Sequence, residues 1–371
     1  MIQRSALSLL AGIVLFSACA PRPSGTDAVH QIACDEQRLA DGARELVSSV
    51  DYLVLDLAQG QVVGRMDKVV VSDGRIYVGD YTSQKVFVFG MDGKMCAVLD
   101  KRGRGPGEYL QIQSFSVDAG KLYVLDQFES TVLSYDAGTL AFLDAEKAPG
   151  PAWDFAALHD GSFLFAYAPM EGNPVRDRSL QYRVTVTDGK MRVKETFFPY
   201  AEDEVDAFSI APYLSENGDT VVYGSFREDG YCLFDRSGGQ LKEQVRFKFA
   251  KPVPDGDRSS LLAVMGGGYT FLASVPYQCG SCCALNLSIG GAGQLCVFDE
   301  KGERLLRQPD GSMRNVLTGI IGSAGPCLIG NWQDKSIYAY MTKNGFERAE
   351  PDEEAAILAD APFLVFYRMK E

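Results

Sequence analysis

The stretch Lys85-Val86-Phe87-Val88-Phe89-Gly90-Met91-Asp92-Gly93 decides the fold. Val86 to Phe89 are β-branched or aromatic, side chains that suit a pleated sheet. Asp92-Gly93 then tolerates positive φ, so the strand runs into a hairpin turn. Working outward, the same phrase recurs at Val132–Gly138, Tyr182–Gly189, Tyr231–Gly238, Leu295–Gly302 and Ile337–Gly345. The turn residues fall at 92, 136, 188, 235, 299 and 344, at intervals of 44, 52, 47, 64 and 45 residues. A second strand precedes most copies: Arg75–Asp80, Lys121–Asp126 and Thr220–Gly224, with looser versions at Ser162–Phe165 and Tyr269–Leu272.

Six units, each with at least two strands, recur near the roughly 40–50-residue period of propeller blades. The expected fold is all-β, a six-bladed β-propeller of four-stranded antiparallel blades. Long stretches of 3.6-residue period are missing, which disfavours helical repeats; Glu350–Ala361 is the best helical candidate. An open ring would leave two edge strands exposed. The apolar C-terminal strand Ala361–Lys370 is therefore predicted to complete a blade begun by N-terminal strands, for which Asp51–Leu57 and Lys68–Val71 are available. At 371 residues the chain exceeds the roughly 250–300 that one core serves. A ring that grows by adding blades accommodates that length.

Met1–Ala20 carries one cation, Arg4, then an apolar run from Ala6 to Phe16, then small residues and Cys19. This is the layout of a secretory signal, with a run too short to span a bilayer. Phe16-Ser17-Ala18-Cys19 resembles a bacterial lipobox, which implies cleavage before Cys19 and lipidation of that residue. The chain then divides into a signal peptide (1–18), a lipidated Cys19 with a flexible tether (19–44) and the propeller (45–371). No acidic residue follows Cys19 before Asp27, which favours a periplasmic over a surface-exposed orientation.

The formal net charge is −13, from 49 Asp+Glu against 36 Lys+Arg. Nucleic acid needs a cationic face and is disfavoured as a partner. His30 and His159 are the two histidines, so a His-rich metal centre is excluded and a catalytic triad has almost no base to draw on. The 38 glycines and 11% aromatic content fit tight turns joining aromatic-rich strands.

The stretch Lys101-Arg102-Gly103-Arg104-Gly105-Pro106-Gly107-Glu108-Tyr109, followed by Ile112 and Phe115, resembles the G-x-G-P-G-E-[FY] signature of six-bladed β-propeller lipoproteins, the TolB-like or NHL-like propellers of Gram-negative anaerobes. The final strand resembles theirs too, with Ala361 where Asn usually precedes the proline. The resemblance covers about residues 45–371 and implies a fold more than an activity. It also implies a monomer in the cell envelope of a Gram-negative bacterium, anchored by lipid to the outer membrane.

The signature segment has two compatible readings. Arg102, Arg104, Glu108 and Tyr109 could present donors, an acceptor and a stacking face to a ligand. Alternatively, the segment is a tight blade-to-blade connection in which Glu108 bonds backbone amides. Trp153 and Trp332 are possible stacking platforms. Trp332 is the better placed, just after a strand. Acids at strand ends, Asp80, Asp126 and Asp235, could bind Ca²⁺ at a central channel or could cap their own turns. His159 reads as a turn residue.

Beyond Cys19 there are eight cysteines: Cys34, Cys96, Cys232, Cys279, Cys282, Cys283, Cys296 and Cys327. They permit disulfides, though the connectivity is open, or inert thiols in apolar strands. Cys279, Cys282, Cys283 and Cys296 could instead hold a metal, or Cys279 and Cys282 act as a redox pair. Without a nucleophile–base pair, the expected role is non-catalytic: a membrane-anchored propeller binding a glycan, peptide or envelope partner protein on one face. The alternative is a Ca²⁺-assisted hydrolase or lyase with carboxylates at the channel mouth.

Overall fold

The computed structural model describes residues 29–34, 40–41, 46–169, 181–200, 204, 212–299, 306–307, 319–332, 335–343 and 345–370. Six blades surround a central channel. From the channel outward, blade 1 is Lys68–Ser72, Arg75–Asp80, Lys85–Gly90 and Met95–Leu99. Blade 2 is Ile112–Asp118, Lys121–Asp126, Thr131–Asp136 and Phe142–Lys147. Blade 3 is Asp154–Ala157, Phe163–Ala166, Tyr182–Thr187 and Val193–Pro199. Blade 4 is Leu214–Asn217, Thr220–Ser225, Gly230–Asp235 and Leu241–Phe249.

Blade 5 has a broken inner strand, Thr270–Leu272 and Tyr277–Cys279, both paired with Cys282–Ile289, which in turn pairs with Ala292–Asp299. Its outermost position is taken by Leu306–Arg307, which packs along the third strand and pairs in parallel with Ala40–Asp41. Tyr269–Leu272 therefore supplies part of an inner strand, not the second strand its sequence suggests.

Blade 6 closes the ring. Ile320–Ala324, Cys327–Trp332 and Phe363–Met369 come from the end of the chain, and Val47–Val54 adds the outer strand from the beginning. The predicted closure is thus observed. The innermost strands of successive blades touch around the full ring, and blade 6 meets blade 1.

Inner and middle strands read as continuous apolar runs because both faces of each blade are covered by neighbouring blades. Phe163–Ala166 is buried at every position. The outer strand Phe142–Lys147, by contrast, is exposed at five of six. The large apolar clusters accordingly lie at the seams: Val88, Phe115 and Tyr135 join blades 1 and 2, and Phe87, Ile329 and Leu364 join blades 6 and 1.

Two features depart from the repeat reading. Ile337–Gly345 is not a strand and turn: Lys335–Lys343 is a helix, followed by a second helix at Pro351–Leu358. Tyr338 and Met341 are the buried pair, three residues apart as on one helix face, whereas Ala339 is exposed where a strand would alternate. The Tyr338 ring packs edge-on to Tyr52, with centroids 5.1 Å apart. The long 64-residue interval is taken up between blades 4 and 5, in a connection carrying the helix Leu261–Gly266.

Of the expected tether, residues 19–28, 35–39 and 42–44 lie outside the described residues. Val29–Cys34 is a strand, paired in parallel with Leu241–Phe249 as a fifth member of blade 4, with Ile32 and Cys34 turned into its core.

Ring closure should be measurable in solution. Tyr367→Ala removes a fully buried ring from the closing strand and is expected to lower unfolding free energy by about 3–5 kcal/mol. Arg368→Ala, one residue on and exposed, should stay within about 0.5 kcal/mol. Urea denaturation of both variants checks this.

Candidate functional site

In blades of this topology, the connections between successive blades and the turns joining second to third strands gather on one face, called here the upper face. A depression on it has a volume of about 410 Å³ and lies over blades 1 to 3. Arg65, Asp67, Tyr81, Gln84, Gln111, Gln113 and Trp153 form its walls, with Lys68 and Ser114 among the lining. Gln113 donates from Nε2 to the Trp153 carbonyl at 3.0 Å, and Gln111 to Gln127 at 2.8 Å. Arg65 pairs with Asp67 at 2.7 Å. Burial raises the Asp67 carboxyl above its ordinary value, opposed by a bond from the Tyr81 amide and by Arg65. These contacts hold amide and aromatic groups in fixed positions before any ligand arrives, which lowers the ordering cost of binding.

Below the depression the channel is filled by a buried polar network. Glu216, on the inner strand of blade 4, accepts from Lys68 Nζ of blade 1 at 3.2 Å through Oε1. Its Oε2 accepts from Arg236 Nη2 at 2.9 Å and from Ser116 Oγ of blade 2 at 2.8 Å. Arg236 also donates to the carbonyls of Val117 and Ala157. Lys68 lies 5.5 Å from the Phe115 ring centroid. Asp154, on blade 3, accepts from Ser114 Oγ at 2.6 Å and from the Tyr213 and Leu214 amides at 2.9 Å each, tying blades 2, 3 and 4. Towards the lower face, Asp118 meets His159 Nδ1 at 2.6 Å, and His159 Nε2 faces Asp219 at 3.3 Å. His159 is a turn residue, as expected, and also links the channel to the surface.

The signature segment crosses from blade 1 to blade 2 on the upper face. Tyr109 is fully buried, and its hydroxyl donates to the Gln84 carbonyl at 2.8 Å while accepting from the Lys101 amide at 3.2 Å. This corrects its reading as a stacking face: the ring anchors the connection and is closed to ligand. Glu108 folds back, with Oε2 accepting from the Gly105 amide at 2.7 Å. Gly107 adopts φ +74°, and a Cβ there would come within 2.5 Å of Phe142. Only glycine fits. Arg102 and Arg104 are exposed.

The strand-end acids cap turns. Asp80 Oδ1 accepts from the Thr82 and Ser83 amides, and Oδ2 from Gly64. Asp126 repeats the pattern with Phe128, Glu129 and Leu110. Asp235 accepts from Ser237 and Gly238. Burial alone would raise the Asp80 and Asp235 carboxyls, but these hydrogen bonds, joined at Asp235 by the Lys242 ammonium at 3.0 Å, outweigh it and hold both below the ordinary value. Trp332 ends the second strand of blade 6 opposite Phe363. Its side chain, like Cys19, lies outside the described residues.

The cysteines from Cys279 to Cys296 are split between two faces of blade 5. Cys279 and Cys282 join the cluster shared with blade 6, while Cys283 and Cys296 join the cluster shared with blade 4. Among the described residues, no group of three or more His, Cys, Asp or Glu is placed to hold a metal ion.

Sequence reasoning missed Lys68, Glu216, Arg236, Asp118 and Asp154. The available signal was a charged residue inside or beside an apolar strand next to the channel. Glu216→Ala would leave two buried cations without their shared carboxylate. It is expected to cost about 3–5 kcal/mol of stability in urea. A loss under about 1 kcal/mol would show that the plug is dispensable.

Comparison with known proteins agrees with this architecture. No curated protein matches the chain in sequence. A protein of Bacteroides fragilis NCTC 9343, inferred to be exported, is similar in structure at TM-score 0.72 and 16% identity, covering 92% of this chain and 99% of that one. A DUF4221 family member from Bacteroides vulgatus ATCC 8482 is similar at TM-score 0.50 and 10% identity, covering 88% and 97%. Among the described residues, no helix is long and apolar enough to cross a membrane. The family model described as a 6-bladed beta-propeller matches residues 24–260. Both the sequence over most of its length and the observed ring therefore agree: the chain belongs to the DUF5128 family of six-bladed β-propellers.

Proposed function

We propose that this chain is an exported, lipid-anchored propeller that binds a polar ligand, a glycan or peptide segment or an envelope partner's loop, without catalysis. The observation that carries the reading is the depression of about 410 Å³ on the upper face, closed below by the ion network. A through-channel would pass solvent. A floor held by salt bridges instead makes a blind site, walled by carboxamides, an Arg–Asp pair and the Tyr81 and Trp153 rings. Carboxamides offer donor and acceptor together, and aromatic faces suit the apolar side of a sugar or a peptide group.

The lipobox-like Phe16–Cys19, the resemblance to TolB-like and NHL-like lipoproteins, and the export inferred for the Bacteroides fragilis protein support a place in the envelope. In this reading acylated Cys19 anchors the propeller to the outer membrane, facing the periplasm. Several acyl chains, each contributing about 0.8 kcal/mol per buried methylene, make such attachment durable.

Two measurements bear on this. Calorimetry against envelope-derived oligosaccharides and peptides should give a ligand whose affinity falls at least about tenfold in Trp153→Ala and Gln113→Ala, while Arg104→Ala, outside the depression, leaves it unchanged. Equal affinity in all three would place binding elsewhere. Radiolabelled palmitate should be incorporated by the full chain and lost in Cys19→Ala; label persisting in that variant would overturn the anchor.

A further inference from the structure

We propose that Cys279 and Cys282 form a disulfide that closes the inner hairpin of blade 5. Both are thiols in the structure. They face each other directly in the antiparallel register, separated by the two-residue turn Gly280-Ser281, where Gly280 takes φ +58°. Directly opposed residues of an antiparallel pair have Cα atoms about 4.5 or 5.5 Å apart, according to pair type. Both values fall inside the roughly 4.4–6.8 Å window of disulfides. Opposed side chains also leave the sheet on the same face, and these two share the apolar cluster between blades 5 and 6.

No other cysteine is placed this way among the described residues. In their strand registers, Cys34 faces Phe249, Cys232 faces Tyr223 and Gln244, and Cys296 faces Leu285. Cys283 faces Gln278 and Phe298, and alternation turns it towards blade 4. Cys327 faces Ala324 and Arg368 in blade 6, so it could reach Cys279 only across a seam between sheets.

The hairpin has reason to need a cross-link. Its inner strand is interrupted between Leu272 and Tyr277, leaving two three-residue ladders where the neighbouring blade 4 has a continuous one. Burial pushes the Cys279 thiol up to about 12. Its thiolate is therefore scarce once the seam has formed, so the bond would form before packing and resist reduction afterwards.

The oxidant is an organic disulfide, R–S–S–R, of the kind that thiol–disulfide exchange uses in oxidising compartments. One cysteine thiolate attacks it and displaces R–S⁻, giving a mixed disulfide. The second cysteine sulfur attacks that bond and expels the other R–S⁻. The two cysteine protons end on two R–SH molecules, and the two electrons lost by the cysteines reduce the reagent.

The full chain, refolded with oxidised glutathione as the oxidant, would be alkylated in denaturant, reduced, and alkylated with a second reagent of different mass. Residue-by-residue mass spectrometry should then find the second label on Cys279 and Cys282, and the first on Cys34, Cys96, Cys232, Cys283, Cys296 and Cys327. In Cys282→Ser, Cys279 has no resolving partner and should carry either the first label or a glutathione adduct, seen as added mass before reduction, and no bond to another cysteine. First label on Cys279 and Cys282 in the unsubstituted chain, or second label on Cys279 together with Cys327, would overturn the assignment.

Discussion

Glu216 sits where the inner strands of three blades converge, and both of its oxygens face cations. At 3.2 Å and an effective dielectric constant near 20, attraction to Lys68 alone amounts to about 5 kcal/mol before costs are counted. Withdrawing each ion from water costs several kcal/mol, so the network's net contribution to stability is small. Its effect is selective. Lys68 and Arg236 cannot both stay buried unless the carboxylate of blade 4 lies between them, which fixes how blades 1 and 4 sit across the axis. The same arrangement closes the channel and gives the upper depression its floor.

Around that axis the blades are held by their seams. The large apolar clusters draw on adjacent sheets, so the blades share their cores, and Tyr109 shows how the connections join in. Its ring is part of the core between blades 1 and 2, while its hydroxyl bonds the backbone beside it. The connection is thereby held against the sheet edge, which keeps Gln111 and Gln113 in place at the rim of the depression.

How much of this could be read from the sequence depended on how local the cause was. Third strands of blades 1 to 4 were legible because each is a short apolar run ended by its own Asp and Gly. The Asp80 and Asp126 caps were legible as an alternative for the same reason, since their partners lie mostly in the adjacent turn. The sixth phrase misled: Ile337 to Met341 has apolar residues at alternate positions, yet also at helical spacing. Packing of Tyr338 on Tyr52, which is distant in sequence, decides between the two. The ion network was hidden because Lys68 and Glu216 are 148 residues apart, and neither is unusual until the ring is closed. Trp153 was weighed below Trp332 because its place on the depression depends on the path of the preceding connection.

The closing strand has a consequence for how the chain acquires its shape. Phe363–Met369 is made long after Val47–Val54, with which it must pair; Ser48 bonds the Arg368 carbonyl across 320 positions. Closure entropy grows only logarithmically with loop length, so this joint is thermodynamically affordable. It is nonetheless slow, because such remote contacts form only after the intervening ones have paid their ordering cost. A chain threaded through a membrane from its N-terminus would carry an unpaired Val47–Val54 edge until Phe363–Met369 arrived. Until then the incomplete blade 6 is the surface that a folding helper would need to shield.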